Sequence, residues 1–81
     1  MPHLQVTFPT DLLNDDIEVH LDAVVVKHNL TYAVCSSPKA GLHRERFGFD
    51  KPATEIEECA QDVRALVEEQ EWPNVEVQVV G

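Results

Sequence analysis

The chain has 81 residues, 43% of them apolar, with six Lys and Arg against fifteen Asp and Glu, for a net charge of −9. That length supports one domain with one small core, and the apolar fraction excludes a disordered composition. The longest purely apolar run, Ala23–Val26, is too short for a membrane span, and the acidic balance disfavours nucleic acid and anionic membranes as long-range partners.

In chain order, "HLQVTF" alternates, with Leu4, Val6 and Phe8 on one side, and reads as a strand ended by Pro9. "TDLLNDD" reads as a polar connection with at most one helical turn. "IEVHLDAVVVK" gives the longest strand signal: Ile17, Val19, Leu21, Ala23 and Val25 alternate with Glu18, His20, Asp22, Val24 and Val26. "HN" then reads as a tight turn, with Asn29 suited to positive φ. "LTYAVC" is its returning partner, so residues 17–35 are expected to form a hairpin.

"SSPKAG" is a loop by composition, turned by Pro38 and Gly41. "LHRERFGF" is the next strand, with Leu42, Arg44 and Arg46 on one face and His43, Glu45, Phe47 and Phe49 on the other. The phenylalanines are assigned to the core, which sends the arginines outward to pair with Glu18, Asp22 or Glu76 across strands. The clearest helix follows: Ile56, Cys59, Ala60, Val63, Leu66, Val67 and Gln70 keep helical spacing. Thr54 and Glu57 suggest a capping box behind Pro52, and Trp72-Pro73 a stop. "NVEVQVV" closes as a strand with Val75, Val77 and Val79 on one face.

The expected fold is a single α+β domain over residues 1–81, in the order β-β-β-β-α-β. One amphipathic helix would cover one face of a mainly antiparallel sheet of about five strands. The other face would carry Val24, Val26, Val80, Glu18, His20, Arg44 and Arg46. It would be either solvated or an interface, including one with a second copy.

The residues offer four candidate chemistries. "RFGF" at Arg46–Phe49, followed by a helix and a last strand, resembles the third strand of an RNA-recognition motif, whose aromatics stack on bases. The sequence departs from that family at Glu45, Arg46 and Asp50, and "TDLLNDD" is too short for the long helix that family has after its first strand. Direct nucleic-acid binding is therefore not expected. His3, His20, His28, His43, Cys35 and Cys59 are metal-capable, but none has zinc-type local spacing, so no metal or cofactor is expected. His20 and Cys35 on paired strands would supply only two ligands. Cys59 lies on the helix's apolar stripe and Cys35 ends a strand beside a loop. Neither has an orienting third group or an oxyanion hole, so no activity and no small-molecule substrate are expected.

The fourth is charge. Residues 1–38 sum to −4, residues 39–51 to +2 and residues 52–81 to −7. Glu55, Glu58, Asp62 and Glu69 form one ridge of the helix, and Glu57 and Glu68 flank it with Arg64. Glu68, Glu69 and Glu71 sit at the negative end of the helix dipole, and Glu58 repels Asp62 at a cost of roughly 0.2–0.5 kcal/mol. A surface that departs from what its own helix favours points to a positively charged partner. The expected function is a non-enzymatic protein-binding module that docks on a basic, nucleic-acid-binding protein as an inhibitor or nucleic-acid mimic. In size and charge the chain resembles phage-encoded anti-defence inhibitors of nucleases. The helix ridge, with Asp15, Asp16 and Asp22, would steer the encounter. Val24, Val26, Arg44, Arg46 or Trp72 would anchor it. The alternative is a small assembly subunit that pairs through its uncovered sheet face. No signal peptide is visible, so a cytoplasmic location is expected, the host's if the chain is phage-encoded.

Overall fold

A computed structural model describes residues 1–30 and 33–81. Thr31 and Tyr32, placed by the sequence reading in the returning strand, lie outside the described residues. The elements are β1 (His3–Pro9), a 3₁₀ helix (Thr10–Asp15), α1 (Ile17–Lys27), β2 (Ala33–Ser36), β3 (Leu42–Phe47), α2 (Ala53–Gln70) and β4 (Glu76–Val80). The fold is α+β with an antiparallel four-stranded sheet in the order β2-β3-β1-β4. No helix among the described residues is long and apolar enough to cross a membrane.

The main correction to the sequence reading is α1. Residues 17–27 are a helix, so the expected hairpin over 17–35 does not form and the order becomes β-α-β-β-α-β. Each helix now joins two strands that are separated in the sheet by a third. This is the split βαβ arrangement of ferredoxin-like domains. Ile17, Leu21 and Val25 are buried at helical spacing. Asn29 does adopt positive φ, at 61°, but as the residue that ends a helix. The Leu30 N–H donates to the Val25 carbonyl at 2.8 Å and the Asn29 N–H to Val26 at 3.0 Å, which satisfies the last orphan carbonyls.

The period-two reading of β1 is correct. Leu4, Val6 and Phe8 are fully buried and meet Phe47, Glu45 and His43 of β3 on one side. On the other side Leu4 and Val6 meet Val79 and Val77 of β4. Both helices pack on this face. Ile56, Cys59, Ala60 and Val63 of α2 lie in the same core. Leu66 and Val67 are half-buried and Gln70 is exposed. The Thr54 capping box does not form: Pro52 is the N-cap residue and no side chain caps the helix. At the other end Glu71 takes φ 57°, and the Trp72 N–H donates to the Val67 carbonyl at 3.2 Å.

Phe47 is buried as expected, but Phe49 is not its neighbour in the core. Gly48 intervenes with φ +79°, and Phe49 instead stacks on His3, ring centroids 4.5 Å apart. His3 projects to the face opposite Leu4, so the glycine has carried the chain across the sheet. A Cβ at Gly48 would stand 3.0 Å from Leu30 Cδ2. Gly48→Ala combines that contact with a left-handed backbone, and is expected to lower stability by roughly 1–2 kcal/mol. Urea denaturation at neutral pH, compared with the Gly41→Ala variant that meets no neighbour, measures the part due to crowding.

Candidate functional site

The densest group of reactive side chains lies where α1 passes the β2–β3 edge of the sheet. Register places Cys35 opposite Glu45, on the helix-covered face that Glu45 shares with Phe47 and His43. Glu45 is only 3% exposed. Its Oε1 accepts a long hydrogen bond from Cys35 Sγ at 3.7 Å. Its Oε2 lies 3.9 Å from His43 Nε2, beyond hydrogen-bonding range. Both of those atoms are buried with no hydrogen-bond partner among the described residues. Glu18 of α1 completes the group: one ligand-type atom from each of Glu18, Cys35, His43 and Glu45 lies within 4.8 Å of all the others.

Electrostatics here follow first from burial and then from the neighbouring acids. Burial, with Glu18 and Asp22 close by, pushes the Glu45 carboxyl up to about 7. Burial and the same acids, with Glu45, also raise the Cys35 thiol. A raised thiol is a poor nucleophile. Cys59, buried on α2, is pushed up to about 11 by burial and then by Asp62.

Alternation along "LHRERF" had already put Glu45 and His43 on the Phe47 face, so their burial was legible. The partners were not. Glu18 falls in a segment whose pattern predicts a strand, and its approach depends on α1.

The expected docking residues are distributed differently from one another. Glu55, Glu58 and Glu69 are exposed on α2. Asp62 of the same ridge is engaged: its Oδ2 is 2.6 Å from His28 Nε2 and 3.8 Å from Lys27 Nζ. The hydrogen bond from His28, with Lys27 nearby, holds its carboxyl below the usual range. Glu57 lies 3.6 Å from Arg64. Val24 and Val26 are not on the sheet face. Both belong to α1, Val24 packed against the core and Val26 65% exposed. Trp72 is buried, edge-on to His20 with centroids 5.5 Å apart, and cannot serve as an exposed anchor. His20 is on α1, so the expected strand pairing of His20 with Cys35 does not form; Cys35 pairs with Glu45 instead.

Arg44 and Arg46 do stand on the uncovered face, paired with Thr7 and Gln5 of β1. Their Nε atoms donate to Thr7 Oγ1 and Gln5 Oε1, each at 3.1 Å, rather than to Glu18, Asp22 or Glu76. Gln5 also donates to Gln78 at 3.3 Å. That face is a polar ladder, with Val34 and Val80 at its margins. By contrast, every acid except Glu45, Asp50 and Glu76 lies on the two helices, the 3₁₀ turn or their caps.

A buried carboxyl raised to about 7 from an ordinary value of 4.5 makes stability fall with pH. Below about pH 4.5 folded and unfolded chains both hold the proton. Between about 4.5 and 7 only the folded chain does, so each step up in pH favours unfolding, and above 7 the full cost remains. Glu45→Gln, which mimics the protonated carboxyl, is expected to be more stable than the parent by on the order of 2–3 kcal/mol at pH 8, and equal to it at pH 4. Denaturant titrations across that range, with a chelator present, measure it.

The sequence matches no protein-family model and no curated protein.

Proposed function

We propose that this protein is a non-enzymatic binding module that presents its helical layer to a basic protein surface, of the kind nucleic-acid-binding proteins carry, and blocks it. The observation that carries this reading is the sorting of charge by layer. Glu55, Glu58 and Glu69 of α2 are exposed on the helical side, and the last turn of α2 has no basic residue. Intrahelical stability would favour cations there. The outer face of α1 adds an apolar strip: Val19 is 66% exposed and Val26 65%, with exposed Ala23 between them. A small apolar centre bordered by acids fits a docking surface that uses charge for steering and contact area for retention. This replaces Trp72 and the sheet face as the anchor. The inhibitory role, as a nucleic-acid mimic in a phage or other genome, is the form of this reading that the charge supports best.

One observation favours a second reading. The helix whose apparent lack argued against an RNA-recognition fold is present as α1, and the uncovered face holds Arg44, Arg46 and the stacked His3–Phe49 pair. Shared topology does not fix function. Of the three β3 positions on the uncovered face, Leu42, Arg44 and Arg46, none is a stacking aromatic, and Phe47 is in the core.

The two readings part under one set of measurements. Immobilised protein should retain a basic partner from host extract, with affinity falling roughly tenfold or more between about 0.05 and 0.3 M salt. A Glu55→Lys, Glu58→Lys, Glu69→Lys variant should lose that partner, while Arg44→Ala, Arg46→Ala should keep it. Retention of single-stranded RNA at low salt, lost in the arginine variant and unchanged in the glutamate variant, would overturn the acidic-face reading in favour of the sheet face.

A further inference from the structure

We propose that Glu18, Cys35, His43 and Glu45 form a binding site for a thiophilic divalent cation of the zinc class, and that the ion ties α1 to the β2–β3 edge of the sheet. The donor set is a thiol, an imidazole and two carboxylates. Zinc accepts all three donor types in four-coordinate sites, whereas magnesium and calcium take oxygen shells of six or more.

The ligand atoms stand somewhat wider than a closed tetrahedron. Zinc bonds of about 2.0–2.3 Å imply edges of roughly 3.3–3.6 Å between ligand atoms. Cys35 Sγ and His43 Nε2 approach different oxygens of the Glu45 carboxylate, at 3.7 Å from Oε1 and 3.9 Å from Oε2, so a small rotation of that carboxylate brings one oxygen to both. The widest separation in the group is 4.8 Å at most. Closing it takes roughly 1 Å, within reach of an exposed Glu18 side chain on one turn of helix.

The independent observation is the pair of orphaned atoms. Glu45 has a side chain 5% exposed, and its Oε2 has no hydrogen-bond partner; neither has His43 Nε2, which points at it. An acceptor-only carboxylate left unpaired inside a protein costs on the order of 1–3 kcal/mol or more. A cation between them satisfies both atoms at once. Asp22, one turn along α1 from Glu18, adds a further negative charge beside the group. On binding, the thiol proton and any proton held by the Glu45 carboxyl are released to solvent, Cys35 coordinates as thiolate, and His43 coordinates through the neutral Nε2 lone pair. The ion's two positive charges then stand against three anionic ligands. The ligands come from three elements, so no local spacing announces them.

Cobalt(II) and zinc(II), added to the full chain after chelator removal, are the probes. One equivalent of cobalt should bind, with intense visible absorption of tetrahedral geometry and a near-ultraviolet sulfur-to-cobalt band, and one equivalent of zinc should displace it. Cys35→Ser should remove the sulfur band and weaken zinc binding roughly a hundredfold or more, and Cys59→Ser should leave both unchanged. Glu45→Gln, whose fold the pH argument favours, should stay folded and still lose affinity. Absence of the sulfur band, its survival in Cys35→Ser, or zinc affinity unchanged in both His43→Ala and Glu45→Gln would overturn the site. None of these outcomes bears on docking through the helical layer.

Discussion

The burial of one side of β1 is the constraint on which the rest of the structure depends. Leu4, Val6 and Phe8 have no exposed surface, and β1 lies between β3 and β4, antiparallel to both. A one-residue slip in either pairing would turn an entire strand over. Val77 and Val79 would then face solvent, or Arg44 and Arg46 would enter the core. α2 crosses this strand to connect β3 with β4, and α1 starts from its end and crosses β3 to reach β2. The position of Glu45 beneath α1, and the outward position of the arginines, follow from the register of one central strand.

Most of the fold was legible wherever a single periodicity was available. β1, β3, α2 and β4 each show one. Residues 17–27 show two. Ile17, Leu21 and Val25 share a face whether the segment is a strand or a helix, since every second residue and every fourth coincide at those positions. The run Val24–Val26 is β-branched, which favours extended backbone. Val19 and Ala23 decide between the two: a strand would bury them, and the helix exposes them. Tertiary context overrode local preference here, as it commonly does at marginal propensity. The helix ends by the same device as α2, a left-handed residue after the last turn, Asn29 in one and Glu71 in the other. Asn29 is a turn former, but its positive φ closes a helix rather than a hairpin.

The chemistry of the candidate metal group was half-legible for a related reason. His43 and Glu45 follow from alternation on β3. A Glu on a core face needs a partner, and that requirement can be stated from sequence alone. Which residues answer it depends on Cys35 across the β2–β3 ladder and on Glu18 from a helix that the local pattern disguises. Gly48 is the other place where a short pattern misleads. "RFGF" looks like two phenylalanines on one face, but a positive-φ glycine between them separates Phe47, in the core, from Phe49, stacked on His3.

The charge is uneven across the sheet: most acids lie on the helices and their caps, while the uncovered face carries Arg44 and Arg46 against Glu76, which gives the chain an electric dipole with its negative side toward the helices. In the field of a charged surface a dipole feels a torque as well as a pull. The chain turns its helices toward positive potential within the screening length, before any contact is made. Rotational search, which ordinarily slows association between two specific patches far below the collision limit, is shortened accordingly. A uniformly acidic chain of the same net charge would feel the pull without the torque, and would arrive in random orientations.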